Sequence, residues 1–124
     1  SAIPDTAVEN PVEDILMAQE NPLAAAEACL HGENSTLFYT ELNLGLKQYL
    51  SGKLSIPAEA LNRKNITEKL DAKGISNETS VQLQDLMNEI EWHVYTPYVD
   101  DAKMKEMYES AHDLIQLLNT YHIR

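Results

Sequence analysis

Residues Ser35–Pro57, STLFYTELNLGLKQYLSGKLSIP, carry apolar side chains on more than one side of any regular element they could form. At about 100° per residue, Phe38, Leu42, Gly45 and Tyr49 make one stripe, and Tyr39, Leu46 and Leu50 widen it. Leu37 and Leu44 fall on another side. A helix written this way is predicted to be covered by neighbours from two directions, which makes it the middle of a bundle.

The rest of the chain supplies the neighbours. Ser1–Asn10 mixes Pro, Asp, Thr and Asn without periodicity and predicts a flexible linker, leaving 11–124 as a single helical domain. Val12, Ile15 and Leu16 predict a short amphipathic segment ending near Glu20. Asn21-Pro22 then opens a helix, with Asn as N-cap and Pro at the first position, and Gly32 stops it. The alanine-rich run Ala24–Ala28, with Cys29, has side chains small enough to pack closely on the central helix.

Asn34 or Ser35 is predicted to cap the central helix, and Ser51-Gly52 to end it. Ile56-Pro57 begins a short helix to about Asn62. Asn65-Ile66-Thr67-Glu68 reads as a capping box opening a helix with Ile66 and Leu70 inward, Lys69 and Lys73 outward, and Gly74 as its stop. Ser76 or Asn77 starts a long helix striped by Leu83, Leu86, Met87, Ile90 and Val94, which Thr96-Pro97 ends. Asp100 or Asp101 caps a last helix striped by Met104, Met107, Tyr108, Ala111, Leu114, Ile115, Leu118 and His122. With no strand-like alternation of useful length and no 30–40-residue repeat, the pattern predicts an all-α, compact bundle of about five to six helices around a central helix near 35–51.

Charge narrows the function. A net charge of −11 argues against a nucleic-acid backbone as partner. The charge is also uneven. Residues 1–46 carry eight acids and no Lys or Arg, whereas 47–73 hold Lys47, Lys53, Arg63, Lys64, Lys69 and Lys73 against three acids. From 74 onward nine acids face three bases. The middle of the chain is therefore the only basic neighbourhood: a solvated face paired with nearby acids, or a surface that meets an acidic partner. No apolar run approaches the roughly 18 residues of a membrane span, and the lone Cys29 rules out an internal disulfide.

Candidate chemistry is sparse. The Asn-x-Ser/Thr triplets at Asn34, Asn65 and Asn77 all stand where helices begin, so capping accounts for them better than glycosylation. Glu109 and His112 have the spacing of a di-iron helix, but that site needs a second Glu-x-x-His. Glu89 and His93 are spaced i,i+4 and do not provide one. Cys29 and His31, two apart, diverge on a helix. Trp92 lies about opposite the Leu83–Val94 stripe, on a face with Asp85, Asn88 and, nearby, Tyr95. Either the loop around Pro97–Val99 folds over it, or it is an exposed anchor for a protein partner.

From Phe38 to Leu118, about two-thirds of the chain, the sequence resembles the C-terminal helical domain of the BatD family of bacterial aerotolerance (oxygen tolerance, oxidative stress) proteins, best known from Bacteroidetes. The residues that carry the resemblance are Phe38-Tyr39-x-x-Leu42, Tyr49-Leu50-x-x-Lys53-Leu54-x-Ile56-Pro57, Leu61, Ile66-x-x-x-Leu70, Gly74-Ile75-Ser76, Glu91-x-x-x-Tyr95-x-Pro97 and Met107-Tyr108-x-x-Ala111-x-x-Leu114. Ile90, His93, Val94 and Thr96 stand where family members usually have Cys, Ala, Arg and Ala, so no role of that arginine carries over. The resemblance implies a fragment of a larger protein anchored in the bacterial inner membrane, with this domain expected on the cytoplasmic side and the periplasmic side as the alternative, since residues 1–46 hold no Lys or Arg. It also implies protein partners of the von Willebrand factor A type or a MoxR-type ATPase. The expectation is a non-enzymatic protein–protein interaction domain without cofactor, whose candidate contact residues are Arg63, Lys64, Lys69, Lys73 and Trp92. Its rivals are a metal- or redox-active helical bundle using Glu109/His112, Glu89/His93 and Cys29, and a structural spacer.

Overall fold

The computed structural model describes residues 21–96 and 98–121. The linker expected over 1–10, the amphipathic segment ending at Glu20, Pro97 and His122 lie outside the described residues. Five α-helices and one 3₁₀ turn follow in order: α1 Ala24–Ala28, α2 Ser35–Leu54, the 3₁₀ turn Ala58–Ala60, α3 Arg63–Ala72, α4 Asn77–Tyr95 and α5 Asp101–Asn119. The described residues contain no strand. None of these helices is long and apolar enough to cross a membrane.

α2 is the axis of the bundle, and every other helix and the 3₁₀ turn pack against it. Phe38, Leu42, Leu46, Leu50 and Leu54 line its inner side and join Leu83 and Ile90 of α4 and Met104, Met107, Ala111, Ile115 and Leu118 of α5 in one core. Ile66 and Leu70 of α3 close that core from the remaining side. Coverage from two directions does not extend all the way round. Leu37 and Leu44 remain 44% and 46% exposed, because the neighbours of α2 spread over one broad face and leave its back open.

The caps explain most of the boundaries. Asn34 accepts a hydrogen bond from the Leu37 N–H (2.9 Å) and starts α2. α2 does not stop at Ser51-Gly52. It runs to Leu54, because Leu54 and Ile56 are both buried, and Ser55 turns the chain in the left-handed region at φ 58°. The Ile56 N–H then returns to the Ser51 carbonyl, closing the helix end in the Schellman manner with serine where glycine is usual. α3 begins earlier than the Asn65 motif suggested. Asn62 is the N-cap, and Asn65 is the third helical residue that completes a reciprocal capping box with it. Gly74, at φ 81°, ends α3 as expected. Ser76 caps α4 and Asp100 caps α5. Asn77 is thus the first residue of α4 and not its cap.

α1 keeps less of its alanine surface inside than the small side chains suggested. Leu23 and Ala26 are buried, Cys29 is half-buried against the core, and Ala24, Ala25 and Ala28 face outward. The contact with α2 is nonetheless close, because a Cβ on Gly45 would stand 2.5 Å from the Pro22 carbonyl oxygen. α3 is tied to α4 by Gln84, whose buried side chain donates to Thr67 (2.7 Å) and to Ser80 (3.2 Å).

Candidate functional site

The end of α4 carries an apolar corner. Trp92 and Tyr95 are one turn apart and therefore neighbours on the helix surface. Tyr98 and Val99 lie in the short connection to α5. All four are more than half exposed: Trp92 56%, Tyr95 77%, Tyr98 54% and Val99 57%. Neither Tyr98 nor Val99 therefore covers Trp92, although the sequence allowed that. Large apolar side chains grouped on a surface otherwise rich in carboxylates are the pattern expected of a contact site.

What holds the corner in place is His93, which the spacing had offered only as half of an incomplete metal pair. Its ring is buried and stacks on Tyr39 of α2, with centroids 4.6 Å apart and planes at 14°. Trp92 meets the same ring edge-on at 5.1 Å, and Tyr98 lies 6.3 Å from it. The imidazole is thus a plinth between the core and two of the exposed aromatics, Trp92 and Tyr98. Its Nδ1 is buried without a hydrogen-bond partner among the described residues. Nε2 stands 3.9 Å from Glu89, too far for a hydrogen bond.

Glu89 is engaged instead by Lys103 of α5, at 2.8 Å. That hydrogen bond is the main reason the ammonium of Lys103 is held above its ordinary range. Burial pushes the Tyr39 phenol up to about 12. The corner is therefore braced by one interhelical ion pair and one aromatic stack, with both tyrosine and lysine in their protonated forms at neutral pH.

The basic candidates do not form one face. About 100° per residue puts Arg63 and Lys73 on opposite flanks of the Ile66–Leu70 stripe, with Lys64 between Arg63 and the outer side. Arg63 reaches toward Asp85 of α4 at 3.9 Å, and Lys64 pairs with Glu68 at 3.0 Å. These exposed pairs are weak, but they place both cations beside acids of the same chain. Lys69 is exposed and Lys73 half-buried on the other flank.

There Lys73 has a companion that the sequence pattern did not single out, Lys53 at the end of α2. Burial, and then the nearby charge of Lys73, push the Lys53 ammonium below its ordinary range. Its Nζ donates to the Tyr121 carbonyl (3.5 Å) and lies over the Tyr49 ring at 5.9 Å. The basic neighbourhood is accordingly recentred on Lys53, Lys69 and Lys73.

Glu109 and His112 are exposed, as their position off the α5 stripe implied, and His112 stacks loosely on Tyr108 with centroids 6.1 Å apart. Among the described residues no three His, Cys, Asp or Glu side chains come together in a way that could hold a metal ion. Cys29 is half-buried against the core. No family model, curated protein or solved structure matches the chain.

Proposed function

We propose that this chain is a non-enzymatic protein-docking domain whose principal contact is the corner formed by Trp92, Tyr95, Tyr98 and Val99. The observation that carries the reading is the exposure of these four side chains, two of which, Trp92 and Tyr98, lie against the buried ring of His93. An aromatic side chain that is already held in place loses little conformational freedom when a partner covers it. The basic side chains Lys69 and Lys73, with Lys53, form a second, smaller contact for an acidic patch of the same partner, while Arg63 and Lys64 are occupied by Asp85 and Glu68.

The resemblance to the BatD C-terminal domain supplies candidate partners: a von Willebrand factor A-type protein or a MoxR-type ATPase of the aerotolerance system. In that setting the parent protein is anchored in the inner membrane and the domain faces the cytoplasm. The test is capture of these purified proteins by the immobilised domain, with Trp92→Ala and the double reversal Lys69→Glu/Lys73→Glu beside the native chain. The expected result is a loss of about tenfold or more in affinity for Trp92→Ala, with a melting temperature close to that of the native domain. A smaller loss is expected for the lysine reversal. Undiminished capture by Trp92→Ala would remove the corner as the contact.

A further inference from the structure

The seam between α4 and α5 opens outward into a groove of about 520 Å³. Leu86, Leu114 and Leu117 form its floor, and Asp85, Glu89 and Asp113 stand among its walls. The floor is not sealed, because Leu114 is half-buried and Leu117 is 40% exposed. Among the described residues no cationic side chain lines the groove. The carboxylates are incompletely neutralised from outside: Arg63 reaches Asp85 only at 3.9 Å, and Asp113 has His112 at 3.7 Å. Of these three, Glu89 alone is firmly paired among the described residues, by Lys103. Glu89 also precedes Trp92 by one turn on α4, so the groove leads toward the aromatic corner.

On the docking reading above, we propose that this groove receives an amphipathic helix of the partner protein, with aliphatic side chains on one face and Lys or Arg flanking them. A groove along two neighbouring antiparallel helices has the form that accepts a third helix, and an apolar floor reads spaced aliphatic anchors. The acidic walls select cations, both by attracting them and by repelling acidic helices.

Other occupants fit the chemistry less well. An anionic lipid surface or a nucleic acid would be repelled by the walls and by the net charge of −11. A second copy of this chain would offer its densest group of cations from the region of α3, whose aliphatic residues Ile66 and Leu70 are already committed to its own core.

The experiment uses the isotopically labelled domain and two synthetic amphipathic peptides, one Leu/Lys and one Leu/Glu of the same length, followed by amide shifts. The Leu/Lys peptide is expected to bind, to perturb amides around Leu86, Ser110, Asp113, Leu114 and Leu117, and to weaken as salt rises. The exposed double variant Asp85→Lys/Asp113→Lys should bind it about tenfold or more weaker. Equal binding of the Leu/Glu peptide, shifts centred on another face, or an unchanged affinity in the double variant would overturn the assignment. So would concentration-dependent self-association that perturbs the same amides without peptide. The two levels separate in the capture assay. Capture lost with Trp92→Ala but retained by Asp85→Lys/Asp113→Lys removes the groove and keeps the docking domain. Capture unaffected by either variant removes both.

Discussion

His93 occupies a position where an imidazole has little electrostatic reason to be. Its ring is wedged between Tyr39 and Trp92, Nδ1 is buried without a partner among the described residues, and the nearest carboxylate, Glu89, is already held by Lys103. A desolvated, unpaired nitrogen costs stability, whereas the stacked ring contributes it. These terms can be separated by substitution. His93→Phe keeps an aromatic ring on Tyr39 and removes the unpaired nitrogen, so its stability should equal the native value or exceed it by up to about 1 kcal/mol. His93→Ala removes the plinth and should cost about 2–4 kcal/mol. Urea unfolding of the two variants reads both numbers. If His93→Phe lost as much as His93→Ala, the nitrogen would be engaged and the ring alone would not explain the site. Trp92 shows the opposite balance, since its ring is 56% exposed and Trp92→Ala should change stability little.

Among the elements, α2 shows how far local pattern determines structure. Its inner stripe and its central place follow from spacing, as does the stop at Gly74, while the caps of α2, α4 and α5 each fall on one of the two residues that the sequence offered. Its end did not follow, because Ser51-Gly52 is a stop signal only when nothing beyond it has to be buried. Leu54 and Ile56 are buried, and that outweighs both glycine in a helix interior and a left-handed Ser55. The aromatic corner was half legible. Trp92 was visible as an apolar residue on the wrong face, but Tyr98 and Val99 acquire meaning only where α4 meets α5. His93 required Tyr39, more than fifty positions away, to be recognised as buried. The four basic residues looked like a group because they are close in sequence, and the turn of α3 separates them. The two glycines of α2 make the element-scale prediction. A methyl at Gly45 would meet the Pro22 carbonyl at 2.5 Å and Leu23 Cδ2 at 3.3 Å, so Gly45→Ala must push α1 away and should cost about 1–3 kcal/mol. At Gly52 nothing lies within 4 Å, and Gly52→Ala should stabilise by about 0.5–1 kcal/mol through the unfolded chain and helix propensity. Opposite shifts in melting temperature check both. Equal effects would mean that α1 does not rest on α2 as closely as the Pro22 contact implies.

At the scale of the whole molecule, the groups with displaced protonation sit at the seams of the bundle, and this sets how the fold responds to alkali. Tyr39 of α2 is stacked against α4, and its phenol is pushed up to about 12 by burial. Tyr49 of α2 donates to Asn119 of α5 (2.5 Å), and burial pushes it up to about 12 as well. Lys103 of α5 is held above its ordinary range by its hydrogen bond to Glu89 of α4. All three bind their protons more tightly folded than unfolded. Between roughly pH 10 and 12 the native state therefore holds more protons than the unfolded one, and stability falls as pH rises. Below that window their contribution is fully present. Lys53 runs the other way, because burial disfavours its charge, and it recovers stability on deprotonation. One such group does not offset two tyrosines and an interhelical ion pair, and a chain that starts at −11 gains further negative charge at each step. The expected free energy of unfolding in urea is level to about pH 9 and then declines steeply, by on the order of 2 kcal/mol for each tyrosine by pH 12. Tyr39→Phe should flatten this decline, while its stability near neutral pH stays close to native because its ring still packs. Tyr49→Phe should flatten it too, at the expense of the Asn119 hydrogen bond. Alkaline curves that remain parallel in the native domain and both variants would mean that these two phenols are not what loosens the α2 seams, and would leave the Lys103–Glu89 pair and Tyr108 of α5, whose phenol burial also pushes up, as the groups whose titration opens the bundle.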